Sequence, residues 1–264
     1  MSRVSPLDIT KQLEHMEIEL TKLNAKRSLS EVERRLEIAE LGNCLLLKDT
    51  AHPQSPYYNR VKGFGPGDIP LLRRILNHYG EAAPCFDLTP NHMTADVSEA
   101  LLKQGYMPVE QLVFLAARPK TQAKPSLPEM RIEAVTGESA ETFISWIARS
   151  NGEAPYSRNI VDRVKGYFHA SHFHNYMLTI DGRPAAMGSL FLHGSEGYLA
   201  NDYTFEEFRG RGCQTALIGH RLSAAAELGL ENVYTDVEFG SVSHANMEKA
   251  GFRTAFINTF WMHG

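Results

Sequence analysis

The stretch YLANDYTFEEFRGRGCQTALIGHRLSAAAEL, residues 198–228, decides how this chain is read. An apolar and aromatic segment beginning at Tyr198 runs into Arg209, Gly210, Arg211 and Gly212, and a long Ala/Leu-rich segment follows. The pattern is strand, basic glycine loop, helix N-terminus. Glycine has no Cβ and accepts positive φ, so such a loop can turn several backbone amides toward one point, and the helix adds its unpaired N–H groups and the positive end of its dipole. The two arginines bring permanent charge and planar, bidentate donors suited to phosphate oxygens. The stretch therefore predicts a site for a pyrophosphate-bearing ligand; the plainer reading of Arg209 and Arg211 is a solvated basic turn.

With 264 residues the chain is long enough for two domains, each with its own core. Its 43% hydrophobic and 22% charged residues are those of a soluble globular protein, and a net charge of −4 gives no bulk attraction to nucleic acid or anionic membrane, so any anion site is local. Residues 1–15 contain no uninterrupted apolar leader, and no later run approaches the roughly 20 apolar residues of a bilayer span. A cytoplasmic protein without nucleic-acid or membrane partners is expected. Cys44, Cys85 and Cys213 are far apart and lack metal-type spacing, which fits a reducing compartment. His169, His172 and His174 cluster locally without an acidic or cysteine partner at ligand spacing, so no metal is expected.

Taken in order, Ile9, Leu13, Met16, Leu20 and Leu23 recur at steps of four and three and predict a helix from Pro6 to Arg27, packed on its own domain. Ser30 with Glu33 is a capping-box pattern that opens a second helix ending at Gly42. Strands are expected over Asn43–Lys48, Tyr57–Phe64, Cys85–Leu88 and Gln111–Ala117, with helices after an Asp68 cap and over Val97–Gln104. Gly63, Gly65 and Gly67 form a plain turn, because Pro66 removes an N–H and no basic residue follows. A Pro/Lys/Ser-rich stretch, 119–128, reads as a linker between a first domain, 1–118, and a second, 129–264.

In the second half, strands are expected over Met130–Val135, Asn175–Ile180, Ala185–Leu192, Gly197–Thr204, Val233–Val237 and Arg253–Met262. Helices fall over Ala140–Arg149, Asn159–His169, Cys213–Leu228 and Ser243–Ala250, and Asp181-Gly182 marks a hairpin. The ends of the halves match in order: Cys85–Leu88, a helix, Lys103, Gly105, Tyr106 and a strand parallel Val233–Val237, a helix, Lys249, Gly251, Phe252 and a strand. Such self-similarity suggests a duplicated unit. The fold class is α/β (α+β) with a mixed sheet flanked by helices, and the chemistry belongs to the half that carries the basic loop.

These residues resemble the GNAT superfamily of acyl-CoA-dependent N-acyltransferases. Its Arg/Gln-x-x-Gly-x-Gly/Ala motif is matched by Arg209, Gly210, Arg211, Gly212 and Cys213, while the last position holds Gln214. A second family element, a short helix ending in Gly-Phe, resembles Ser243, Asn246, Lys249, Gly251 and Phe252. The resemblance implies two GNAT-like domains, each a mixed, mainly antiparallel sheet flanked by helices, with a degenerate N-terminal copy.

It further implies acetyl-CoA as co-substrate and a small-molecule or peptidic amine as acceptor, in a monomer or homodimer. Arg209, Gly210, Arg211, Gly212, Gln214 and Thr215 would hold the pyrophosphate, Tyr203, Thr204 and Phe205 would follow the pantetheine arm, and Ser243 and Asn246 would line the thiol end. Asn246 could equally cap its own helix. Direct attack needs a neutral amine, and for a pKa of about 10.4 deprotonation at pH 7 costs about 4.6 kcal/mol, so a base is useful. Asp202 and Glu238, near the ends of adjacent strands, are the candidate bases. Where the family often has a tyrosine acid this chain has Met247, which leaves Tyr203 or a water for that role. Cys213 is read as a packing residue rather than a nucleophile. The implied function is N-acetyl transfer; the alternative is a non-catalytic acyl-CoA sensor.

Overall fold

The computed structural model describes residues 5–121 and 129–264, so residues 122–128 of the expected linker lie outside the described residues. Helix α1 (Pro6–Lys26) starts at Ser5, whose Oγ accepts from the Asp8 amide, and has proline in its first turn. The capping-box pattern at Ser30 does not open a helix. Residues 36–41 form strand β1 (Leu36–Leu41), which turns at Gly42-Asn43 and pairs over six residues with β2 (Cys44–Asp49). Leu, Glu and Ala favour a helix locally, and the hairpin ladder overrides them.

Strand β3 (Arg60–Lys62) is shorter than expected. A 3-10 turn over Pro66–Leu71 then leads into α2 (Leu72–Tyr79), β4 (Cys85–Leu88), α3 (Ala95–Lys103) and a long β5 (Tyr106–Ala117). Asp68 does not cap α2. Its carboxylate accepts from the Asn43 amide at 2.9 Å and the Gly65 amide at 3.2 Å, so the loop after β3 already holds an anion of its own.

The second half follows the expected order. Strand β6 (Met130–Ala134) and α4 (Ala140–Ser150) precede α5 (Arg158–Val164), which continues as a 3-10 turn to His169. A meander of β7 (Phe173–Ile180), β8 (Arg183–His193) and β9 (Glu196–Thr204) leads to α6 (Cys213–Glu227), β10 (Asn232–Glu238), α7 (Val242–Ala250) and β11 (Arg253–His263).

All these strands join one sheet in the order β1-β2-β3-β4-β11-β5-β10-β9-β8-β7-β6. The halves are related by strand pattern, since β3 runs parallel to β4 as β9 does to β10, with antiparallel neighbours elsewhere. They also exchange their last strands. β5, from the first half, lies between β10 and β11, while β11 pairs with both β5 and β4. The cores record the exchange: Trp261 of β11 packs with Val61, Phe64 and Phe86, while Val113, Phe114 and Leu115 of β5 pack with Tyr198, Leu217 and Val233.

The apolar face of α1 (Leu13, Met16, Leu20 and Leu23) belongs to the core of the second half, not to that of its own half. Its polar face reaches back to the first. Glu17 accepts from Arg60 Nη1 at 2.5 Å and Lys62 Nζ at 2.8 Å, and Asp87 of β4 meets the same two cations at 3.3 and 2.5 Å. Asn258 of β11 donates to the other Asp87 oxygen at 2.6 Å. Burial opposes the Glu17 charge, yet Arg60 and Lys62 outweigh it and hold the carboxyl well below its ordinary 4.5. A carboxylate so held stabilises the fold above its unfolded pKa and loses that contribution as the pH falls. Glu17→Gln should therefore cost about 3 kcal/mol at pH 7 by leaving buried cations underpaired, and urea unfolding should show this penalty shrinking below pH 4.5.

Candidate active site

β9 and β10 pair only from Glu196 to Tyr198 opposite Asn232 to Tyr234. Beyond them one further link, from Thr235 Oγ1 to the Leu199 carbonyl at 3.1 Å, precedes the parting of the strands. β9 is bulged there: Asn201 and Asp202 stand against Gly188 alone on β8, and Asn201 has φ +55°. A bulge bends its strand and re-aims side chains. The edge of β9 facing β10 thus has no ladder partner on β10 from Ala200 to Thr204.

A cavity of about 710 Å³ opens at the ends of these strands and the start of α6. Its wall includes Tyr203, Thr204, Arg209, Gly210, Gly212 and Gln214, with Thr215, Ser243 and Asn246. Gly212 is the N-cap of α6 at φ +77°, and no side chain caps the helix. The first-turn amides of Cys213, Gln214 and Thr215 have no intrahelical acceptor at this end. Gly210, at φ +75°, has no atom within 4 Å of where a Cβ would stand, so the loop lies open.

Two expected ligand contacts fall outside this wall. Phe205 is buried against Trp146 and Tyr203, and its amide donates to the Ala185 carbonyl at 3.0 Å. The Arg211 guanidinium lies over the Phe208 ring, 5.7 Å from its centroid. Cys213 is buried with its Sγ 3.7 Å from the Phe208 carbonyl, and burial raises its thiol pKa, which suits packing.

Gln214 ties the site together. Its Nε2 donates to Ser243 Oγ at 2.9 Å, and its Oε1 accepts from Asn246 Nδ2 at 2.7 Å, so one side chain links α6 to α7. Asn246 is therefore not a helix cap; Ser241 fills that position, accepting from the His244 amide.

A second cavity, of about 760 Å³, lies between the halves and shares Asp202, Gln214 and Ser243 with the first. Tyr57 and Arg60 of the first half, Leu20 of α1, and Phe114, Phe260 and Met262 of the exchanged strands face Asp236, Val237 and Glu238 of β10. The three expected catalytic residues differ in setting. Tyr203 lines the first cavity and stacks edge-on with Phe205. Glu238 is exposed at the end of β10 and lines the second. Asp202 is bound to the fully buried Arg221, which donates Nη1 to Oδ2 at 3.0 Å and Nη2 to Oδ1. Gly188 makes room for this pair, since a Cβ there would stand 2.8 Å from Arg221 Nη1.

Asp236 was not anticipated. It sits on β10 between the halves, lines the cavity and accepts from Tyr198 Oη at 2.5 Å. Burial raises its carboxyl pKa, the Tyr198 hydrogen bond opposes this, and the charge of Glu17 adds to the rise. The available sequence signal was an acid inside the otherwise strand-like run Val233–Val237. Met247, at the position where a tyrosine was sought, is buried and lines the same cavity. Among the described residues no group of three or more His, Cys, Asp or Glu side chains converges as a metal site, and no helix is long and apolar enough to cross a membrane.

Parted parallel strands, with a glycine turn opening onto a helix N-terminus beside a second cavity, are an arrangement whose fold recurs in solved GNAT structures. Residues 140–252 match the model of the Acetyltransferase (GNAT) family. No curated protein matches the sequence. Among solved structures, the chain is similar to a GCN5-related N-acetyltransferase from Kribbella flavida, at 15% identity and TM-score 0.65 over 95% of each chain. It is also similar to a tandem GNAT protein from the clavulanic acid biosynthesis pathway, at 12% identity and TM-score 0.61 over 95% of this chain and 96% of that one. A GCN5-related N-acetyltransferase from Sphaerobacter thermophilus follows, at 13% identity and TM-score 0.59 over 85% and 81%. At these identities the likeness is one of fold, and the fold is that of tandem GNAT proteins.

The settings of the two acids predict different costs. Asp202→Ala leaves a buried guanidinium without its carboxylate and should cost about 3 kcal/mol. Glu238→Ala, at an exposed strand end, should change stability by no more than about 0.5 kcal/mol. Chemical denaturation of both variants at neutral pH checks the contrast.

Proposed function

We propose that the protein is an N-acetyltransferase that moves an acetyl group from acetyl-CoA directly to an amine. The observation that carries this reading is the meeting of two cavities at Asp202, Gln214 and Ser243, where β9 and β10 part. One has the open helix N-terminus and glycine turn that suit a pyrophosphate. The other is large enough for an acceptor and contains a carboxyl group. The thioester would lie at the junction, beside the unpaired edge of β9, whose backbone amides are the donors available to polarise its carbonyl.

In this reading the backbone from Arg209 to Thr215 holds the pyrophosphate, Tyr203 and Thr204 flank the pantetheine arm, and Ser243 and Asn246 line the thiol end. Asp236 is the base: its raised pKa brings a carboxylate closer to the pH at which it can accept a proton from an ammonium group. Asp202, with both oxygens held by Arg221, supports the bulge, and Glu238 serves the acceptor. Tyr203 stands beside the leaving thiolate as a candidate acid, with water as the other. The three cysteines are free and buried, in keeping with a reducing, cytoplasmic setting.

A second reading, acyl-CoA binding without turnover, draws on Met247 standing where an acid was sought and on Gln214 occupying the motif's last position. Thiol release from acetyl-CoA across an amine panel separates the two, because saturable binding with no amine-dependent release supports only the sensor.

Gly212→Val forces a β-branched residue to φ +77° and should weaken acetyl-CoA binding at least tenfold by calorimetry. The strain of about 1–2 kcal/mol should lower Tm by only a few degrees, and unchanged affinity would remove the loop from the site. Asp236→Asn should lower kcat by about 100- to 10,000-fold. In the parent enzyme the acidic limb of kcat/KM should fall above the ordinary aspartate range, because the raised group must lose its proton before it can act; a limb that survives in Asp236→Asn assigns the base elsewhere.

A further inference from the structure

The inference below rests on the acyl-transfer reading and concerns the acceptor. The 760 Å³ cavity has a charge imbalance that the fold does not cancel. Of the charged side chains in its wall, Glu17 and Arg60 neutralise one another, and Asp202 is taken by Arg221 behind the wall. Asp236, Glu238 and Glu110 also line it, and none of them forms a salt bridge among the described residues. Each lies on the same face of the sheet. Asp236 and Glu238 are two residues apart on β10, and paired residues of antiparallel strands share a face, so Phe114 and Leu112 of β5, opposite Asp236 and Glu238, project with them. Glu110 comes two residues further along β5, opposite Phe260 of β11.

At about 3.4 Å per residue, the row advances about 7 Å from Asp236 to Glu238 and about 7 Å again to Glu110. The surface between the acids is hydrocarbon, from Leu112, Phe114 and Phe260. A row of carboxyl groups separated by apolar surface complements cationic groups separated by methylenes. It disfavours an acceptor that carries a carboxylate, since a like charge in this cleft is destabilising.

We propose that the acceptor is an aliphatic di- or polyamine: one nitrogen is presented to the thioester at the junction of the cavities, and the second, as an ammonium group, is held by Glu238 and Glu110 over the apolar floor. In the transfer step the neutral nitrogen forms a bond to the acetyl carbon, the carbon–sulfur bond breaks, and CoA leaves as the thiolate. Asp236 takes one proton as the ammonium nitrogen becomes neutral, and the nitrogen's surplus proton after attack passes to the thiolate by way of Tyr203 or water. The charge of the second nitrogen is untouched by the reaction, so it can anchor the acceptor throughout.

Three acceptors of equal chain length separate the charges: diaminopentane, pentylamine and aminopentanoate, each assayed by thiol release with acetyl-CoA. The expected order of kcat/KM is diamine over monoamine by at least tenfold, and monoamine over amino acid. In the double variant Glu110→Gln/Glu238→Gln, which keeps side-chain shape at two exposed positions, the diamine-to-monoamine ratio should fall about tenfold. Equal rates with diamine and monoamine, preference for aminopentanoate, or a ratio unmoved by the double variant would overturn the proposal. A calorimetric titration of diaminopentane into the parent protein and the double variant needs no turnover: affinity lost with the carboxylates supports the charge row, and affinity equal in both overturns it. If acetyl-CoA fails to bind at all, the acyl-transfer reading falls, and the calorimetric result still decides whether the cleft takes a diamine.

Discussion

The ladder between β5 and β11 is the pairing on which the rest of the molecule depends. It runs from Arg253 opposite Ala116 to His263 opposite Tyr106, with two register shifts, and it lies at the middle of the sheet. Each strand comes from one half and completes the core of the other. Neither half can therefore bury its apolar face without its neighbour, and the cavity between them has walls drawn from both. α1 reinforces this arrangement by placing leucines in one core and Glu17 in the ion cluster of the other half. Charges buried so deeply add little net stability even when well paired, while a wrong docking would leave them unpaired at high cost. Their effect is to make one relative placement of α1, β3 and β4 far better than its alternatives.

The repeat explains why one half has an open phosphate turn and the other does not. At the same point in each half, a strand that runs parallel to its successor leads into a glycine-containing loop and a helix. After β9 the loop carries two arginines, and α6 starts at an uncapped glycine. After β3 the loop carries Pro66, which has no N–H, and Asp68, whose carboxylate takes the Gly65 and Asn43 amides. An internal carboxylate occupies loop amides that would otherwise be free for an external anion. A 3-10 turn also stands between that loop and α2. The first half thus stabilises the second as a scaffold and contributes Tyr57, Arg60 and Glu110 to the wall of the cleft.

Features that rest on local chemistry were legible in the sequence. The glycine turn, the Cys213 helix, the Asp181-Gly182 hairpin and the helix ended by Gly251 each depend on residues close together in the chain, and each is in place. What escaped depends on distant partners. Residues 30–42 read as a helix until β2 supplies a ladder for 36–41. Nothing between residues 106 and 117 indicates that this strand will insert between two strands of the other half. Asp236 looked like an ordinary strand residue because its chemistry comes from Tyr198, Glu17 and the cavity, all remote in sequence. Asp202 had the opposite problem: its position at a strand end suggested a free base, and its partner Arg221 lay unremarked inside an amphipathic helix.

The two aspartates show how a cleft can hold acids for different purposes. Asp202 is fixed by a guanidinium whose remaining donors reach the Leu217 and Ser189 carbonyls, so its charge is spent on holding α6 against the bulge in β9. Asp236 has a neutral phenol as its partner, in an enclosed setting where ionisation is opposed. A carboxyl enclosed in this way takes up a proton more readily than one in water. Pairing makes Asp202 a support, and the lack of it makes Asp236 available for proton transfer. The division follows from the partner each acid meets, and it needs no difference in the acids themselves.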